Sequence, residues 1–142
     1  MTLPAPAPGL VIRYAFLWSH EREAGRTEAA KDRPCAIVLS AQRGQNGDVV
    51  VVVAPVTHFP PSAGQPSVAL PPVVASRLGL DDGPAWIRVD ELNRFAWPGF
   101  DLRPIPGRAG AFAYGFLPRP LFEQVRALIL DGRRKARTIP RD

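Results

Sequence analysis

A chain of 142 residues is long enough for one hydrophobic core and leaves little room for a second domain. Its 18 Lys and Arg against 13 Asp and Glu give a formal charge of +5 and a pI near 10.3, which favours an anionic partner such as nucleic acid. A lone cysteine, Cys35, closes no intrachain disulfide, and the absence of a long apolar run leaves nothing to span a membrane.

The chain opens on Met1-Thr2-Leu3-Pro4-Ala5-Pro6-Ala7-Pro8. This stretch lacks a basic start and a continuous apolar stretch, so residues 1–8 read as a flexible proline-rich arm and not as a secretory signal. With Cys35 at an apolar, reduced position, the chain reads as soluble and cytoplasmic. Residues 9–18, rich in Val, Ile and aromatics without breakers, predict a first strand. Ser19 to Asp32 is polar and charged and predicts a long loop with a helical turn near Thr27 to Lys31.

The next segment is the most informative. Residues 35–39 and 49–53 are short Val- and Ile-rich runs, and Asn46-Gly47 lies between them, which predicts an antiparallel hairpin turning over Gly44 to Asp48. That register sets Arg33 opposite residues 55–60, so Arg33, Thr57 and His58 share one rim. A guanidinium beside a hydroxyl and an imidazole suits a phosphodiester: arginine grips phosphate oxygens in pairs while its neighbours orient groups or relay protons.

Phe59 to Pro66 is a turn-rich connector, Ser67 to Leu70 a short edge strand, and Pro71 to Leu80 a brief helix ended by Gly79. Ala85 to Trp97 predicts one strand, with Ile87 and Val89 on one face and Trp86, Arg88 and Asp90 on the other. Residues 111–116 form a last short strand. Leu121, Phe122, Val125, Leu128 and Ile129 then recur at helical spacing, with Pro118 and Pro120 at the start and Gly132 as the stop. Residues 9–131 thus form a single domain, mainly β with one C-terminal amphipathic helix. Residues 132–142 form a frayed basic tail.

Arg33-Pro34 before an apolar Val38-Leu39-Ser40 strand, then Val52-Val53-Ala54-Pro55-Val56-Thr57, resembles the MazF/PemK family of toxin endoribonucleases from bacterial toxin–antitoxin pairs. Trp86-Ile87-Arg88-Val89-Asp90 resembles the strand that carries an Arg-x-Asp pair in the Kid branch, and the resemblance runs from about Gly9 to Leu130. It implies an SH3-like small barrel of the MazF, Kid and CcdB type. It also implies a homodimer, a small antitoxin partner, and cleavage of single-stranded RNA without metal or cofactor to 2′,3′-cyclic phosphate and 5′-hydroxyl ends. In that family the loop between the first two strands is a mobile cover and antitoxin docking point.

On this reading Arg33 clamps the phosphate and stabilises the charged transition state, since arginine stays protonated; an ordinary salt bridge to Asp32 or Glu28 is the competing reading. Thr57 hydrogen-bonds the phosphate or merely caps a turn. His58 is the nearest imidazole able to act as base or acid. Lys31 and Glu28 support the site, and Arg88 with Asp90 either assists or forms a plain ion pair. Phe59 and Trp86 stack unpaired bases or serve the core. No HxxxH, CxxC or tight carboxylate cluster appears, so no metal site is expected, and no phosphate-loop, dinucleotide or nucleophile-elbow motif is present. A non-catalytic nucleic-acid or protein binding module, or a poison that acts by binding as CcdB-like proteins do, is the alternative.

Overall fold

The computed structural model describes residues 3–43, 47–108, 110–132 and 136–141. In chain order they form β1 (Leu10–Tyr14), α1 (Ser19–Glu23), β2 (Arg33–Arg43), β3 (Asp48–Thr57), β4 (Ser67–Leu70) and α2 (Pro72–Leu78). Then come β5 (Ala85–Arg88), β6 (Glu91–Ala96), β7 (Ala113–Phe116), α3 (Arg119–Gly132) and β8 (Arg137–Pro140).

The strands lie in the order β4-β5-β3-β2-β1-β7, with β6 on β3 and β8 on β6. Every pairing is antiparallel except the parallel β6–β8 ladder. The long hairpin is present: Cys35 faces Pro55, Ile37 faces Val53 and Arg43 faces Asp48, with a register shift between Ile37 and Leu39. Both strands are longer than their apolar runs. The expected turn falls partly on residues 44–46, outside those described.

β3 organises the sheet because its two halves take different partners on the side away from β2. Val50 to Val53 pair with β6, whereas Val56 and Thr57 pair with β5. The stretch expected as one strand over Ala85 to Trp97 is therefore broken at Val89-Asp90, where the chain steps from one partner half to the other. The product is a mainly antiparallel sheet curled into a half-barrel.

Both faces of its centre are buried, which explains why these strands read as continuous apolar runs. Val11, Ala36, Val52, Ala54, Val56 and Ile87 point to one side, where Leu121 and Val125 of α3 and Val74 and Leu78 of α2 cover them. Ile12, Tyr14, Cys35, Ile37, Val51, Val53 and Phe95 point to the other. Successive residues alternate between the two cores, the period of a strand.

Three segments differ from expectation. The first strand ends at Tyr14, because the Ala15 N–H donates to the Asp101 carbonyl (2.9 Å) instead of continuing the ladder. The helical turn lies at Ser19–Glu23 and not near Thr27 to Lys31, because the Glu21 carboxylate accepts the Trp18 N–H (3.0 Å) at the start of α1, one half of a capping box. The tail is not frayed over its described residues: β8 pairs with β6, and Arg141, its side chain 4% exposed, donates to the Ala15 carbonyl (2.6 Å) and pairs with Asp101 (3.1 Å). At the other end of the chain, the Pro6 carbonyl accepts a hydrogen bond from Ser40 Oγ (3.1 Å). Among the described residues no helix is long and apolar enough to cross a membrane.

Candidate active site

Two open cavities meet at the mouth of the β2–β3 hairpin. The smaller, about 230 Å³, is walled by Arg13, Lys31, Asp32, Arg33, Thr57, His58, Phe59, Asp81 and Tyr114 among others. The larger, about 760 Å³, is walled by Trp18, His20, Glu21, Lys31, Arg33, Thr57, Phe59, Arg88, Asp90, Glu91 and Arg137 among others. Lys31, Arg33, Thr57 and Phe59 belong to both and form the saddle between them.

The hairpin register builds this saddle. Cys35 opposes Pro55 as the last pair of the ladder, and the same register carried two residues further sets Arg33 abreast of Thr57, where both line the two cavities. Arg33 is half-buried, and no carboxylate pairs with it among the described residues; Asp32 turns instead to Arg103 (3.6 Å). Its Nε is buried with no hydrogen-bond partner. Its guanidinium carbon lies 5.0 Å from the centroid of the Trp18 ring. Burial lowers the Arg33 pKa from the ordinary arginine value, an effect that Cys35 and Glu21 partly oppose. The group is thus a partly desolvated cation that has no carboxylate at salt-bridge distance among the described residues and gains from an anion arriving at the saddle.

Thr57 is buried, and its Oγ1 accepts the Phe59 N–H (3.2 Å), the turn-capping role weighed from the sequence. The hydroxyl keeps its own hydrogen to donate. His58 is exposed, with Nδ1 2.7 Å from the Pro84 carbonyl oxygen. A carbonyl only accepts, so Nδ1 carries the hydrogen and the neutral ring keeps its lone pair on Nε2.

Arg88 and Asp90 form a two-pronged pair, Nε to Oδ1 at 2.8 Å and Nη2 to Oδ2 at 2.7 Å. Asp90 raises the Arg88 pKa, first through this hydrogen bonding, while burial works against it. Arg88 also lies over the Trp18 ring, 5.4 Å from its centroid. Asp90 is fully engaged in orienting this arginine.

Glu28 is exposed and lines neither cavity, and Trp86 lies on a separate apolar depression with Ala69, Leu70 and Pro84. Sequence reasoning missed Trp18, Arg13, Tyr114, Glu21 and Glu91. The two acids hold the 19–32 segment in place. Glu21 accepts the Ala30 N–H (3.2 Å), and Glu91 accepts the Ser19 N–H (2.8 Å) and hydroxyl (2.7 Å). Arg13 did carry a signal, as the one charged residue inside the Leu10–Tyr14 strand.

Among the described residues no three His, Cys, Asp or Glu side chains gather as metal ligands. Comparison of the chain with protein-family models, curated proteins and solved structures returned no match.

Proposed function

We propose that this chain is a metal-independent endoribonuclease of the MazF/PemK kind, the toxin of a toxin–antitoxin pair. On this proposal it folds as an SH3-like barrel, acts in the cytoplasm as a homodimer, cuts single-stranded RNA and is restrained by a small antitoxin. The observation that carries the reading is the half-buried Arg33 guanidinium, without a carboxylate partner among the described residues, at a saddle shared with Thr57 and Lys31 and flanked by His58.

The chemistry assigned to these groups is transesterification. The RNA 2′-oxygen attacks the adjacent phosphorus, the bond from phosphorus to the 5′-oxygen breaks, and a cyclic phosphate forms. His58 Nε2 takes the 2′-hydroxyl proton, and the departing 5′-oxygen takes a proton from water at the open mouth. Arg33 and Lys31 stabilise the extra negative charge on the phosphorane, and the Thr57 hydroxyl donates to a phosphate oxygen. A group that is already desolvated and oriented pays little reorganisation when that charge develops.

The test is incubation of the purified protein, in EDTA, with mixed-sequence single-stranded RNA, followed by mapping of the ends beside an Arg33→Ala control. Cyclic-phosphate ends that disappear in the control, with the fold intact by circular dichroism, support the reading. Folded protein that cuts none of several RNAs leaves the binding module in its place.

A further inference from the structure

We infer that the smaller cavity is a second phosphate subsite, in which Arg13, held by Tyr114, grips the phosphodiester next to the one at Arg33. This rests on the ribonucleic-acid reading of the saddle and extends it to a stated path for the strand.

The charge distribution separates the two cavities. In the larger one the two arginines that it does not share with the smaller are matched: Arg88 by Asp90 at 2.7 Å, Arg137 by Glu23 at 2.7 Å. In the smaller one Arg13, Lys31 and Arg33 have no carboxylate partner among the described residues. Of its two acids, Asp32 is drawn off by Arg103 (3.6 Å), which leaves Asp81 against three cations. A cavity of about 230 Å³ is below the usual size of a pocket for a whole drug-sized ligand, and suits a single phosphodiester unit. The larger cavity, with Trp18 and Phe59, has the aromatic surface that bases require.

Arg13 is aimed. Its Nη1 donates to the Tyr114 hydroxyl (3.2 Å), which leaves the remaining guanidinium N–H groups for a ligand. Tyr114 reaches that position because β1 and β7 slip past one another. Val11 pairs with Gly115 and Ile12 with Ala113, so Tyr114 is the extra residue of a bulge, a device that redirects side chains. Gly115 permits the slip with φ 136°, a conformation few L-residues adopt. Arg108, 6.0 Å from the Tyr114 ring centroid, adds a further positive charge over the ring.

The experiment measures binding of a fluorescein-labelled 2′-O-methyl RNA octamer, which cannot be cut, across a salt series. Each phosphate contact contributes roughly 0.7 to the slope of log affinity against log salt on a single strand. Arg13→Gln is expected to weaken binding about tenfold at low salt and to lower the slope by about 0.7. Tyr114→Phe keeps the charge, so it is expected to leave the slope unchanged while weakening binding a few-fold. Arg13→Lys is expected to restore the slope and only part of the affinity, and it serves as the folded control should Arg13→Gln be unstable. A wild-type slope and affinity in Arg13→Gln would overturn the inference. Because the probe is uncuttable, that result leaves the ribonuclease reading standing if the wild type still cleaves ordinary RNA; a wild type that neither binds nor cuts removes both.

Discussion

The Arg33 guanidinium carbon lies over the Trp18 indole, 5.0 Å from the ring centroid, and Arg88 approaches the same ring at 5.4 Å. Two cations on one ring repel, and the arrangement holds because Asp90 neutralises Arg88 and leaves Arg33 as the free charge. The negative face of the indole offsets part of the desolvation of Arg33 and fixes its plane, worth about 1 to 2 kcal/mol for a partly buried pair. On the proposed ribonuclease reading, Trp18 is therefore a positioning residue. Trp18→Leu is expected to lower single-turnover cleavage about tenfold, the equivalent of ~1.4 kcal/mol, with Trp18→Phe recovering most of it. A change in KM alone, with the chemical step untouched, would count against this role.

Phe59 is 73% exposed yet lines both cavities, an arrangement that burial does not explain. A base stacked on it gains about 1 to 3 kcal/mol. Phe59→Ala is expected to weaken binding of an uncuttable RNA between five- and a hundredfold while shifting the unfolding midpoint very little. Parallel titration and thermal melting distinguish this from a packing role, in which stability falls and affinity does not.

The β2–β3 hairpin was legible because its strands are buried on both faces and so spell continuous apolar runs. Once that hairpin is drawn, counting along its register places Arg33 abreast of Thr57, and this half of the candidate site follows from local sequence alone. The other half does not. Trp18 arrives by a turn after β1 that depends on Asp101, and Arg13 meets Tyr114 only across a pairing between strands 101 residues apart. β8 was invisible for a similar reason: Ile139 is the only buried residue in it, and its partner strand lies more than 40 residues upstream. The break at Val89-Asp90 is likewise dictated by β3, whose two halves need separate partners, and by nothing in the local pattern.

Asn93 is fully buried and serves as a clamp on the turn that carries Trp18. Its Oδ1 accepts the Leu17 N–H (2.9 Å), its Nδ2 donates to the Leu17 carbonyl (2.8 Å), and Arg141 also donates to Oδ1 (3.2 Å). Asn93→Ala strands two backbone groups away from water, at about 1 to 3 kcal/mol each. A loss of about 3 kcal/mol is expected in urea unfolding, with an unchanged slope against denaturant. Loss of cleavage beyond what the unfolded fraction explains is also expected, because Trp18 and with it Arg33 lose their anchor.

Cys35 lies between the β1 and β3 strands with no exposure, and burial pushes its thiol pKa well above the ordinary value of 9.0, while Arg33 and Arg141 pull weakly the other way. The folded chain therefore keeps the proton where the unfolded chain loses it. Above pH 9 the unfolded state binds fewer protons than the native state, so stability contributed by the neutral thiol is intact below that pH and declines as pH rises through it. One pH unit above the ordinary value the loss is about 1.4 kcal/mol, and it grows by a similar amount per further unit until the native thiol itself ionises. Other side chains also titrate in this range, so the measurement is a difference: unfolding free energies of wild type and Cys35→Ala from pH 7 to 10.5. The variant is expected to start lower, because a buried sulfur is gone, and to fall less steeply above pH 9. Parallel curves would mean that the thiol ionises in the folded state as readily as in the unfolded chain, which a position with no exposed surface between two paired strands does not allow.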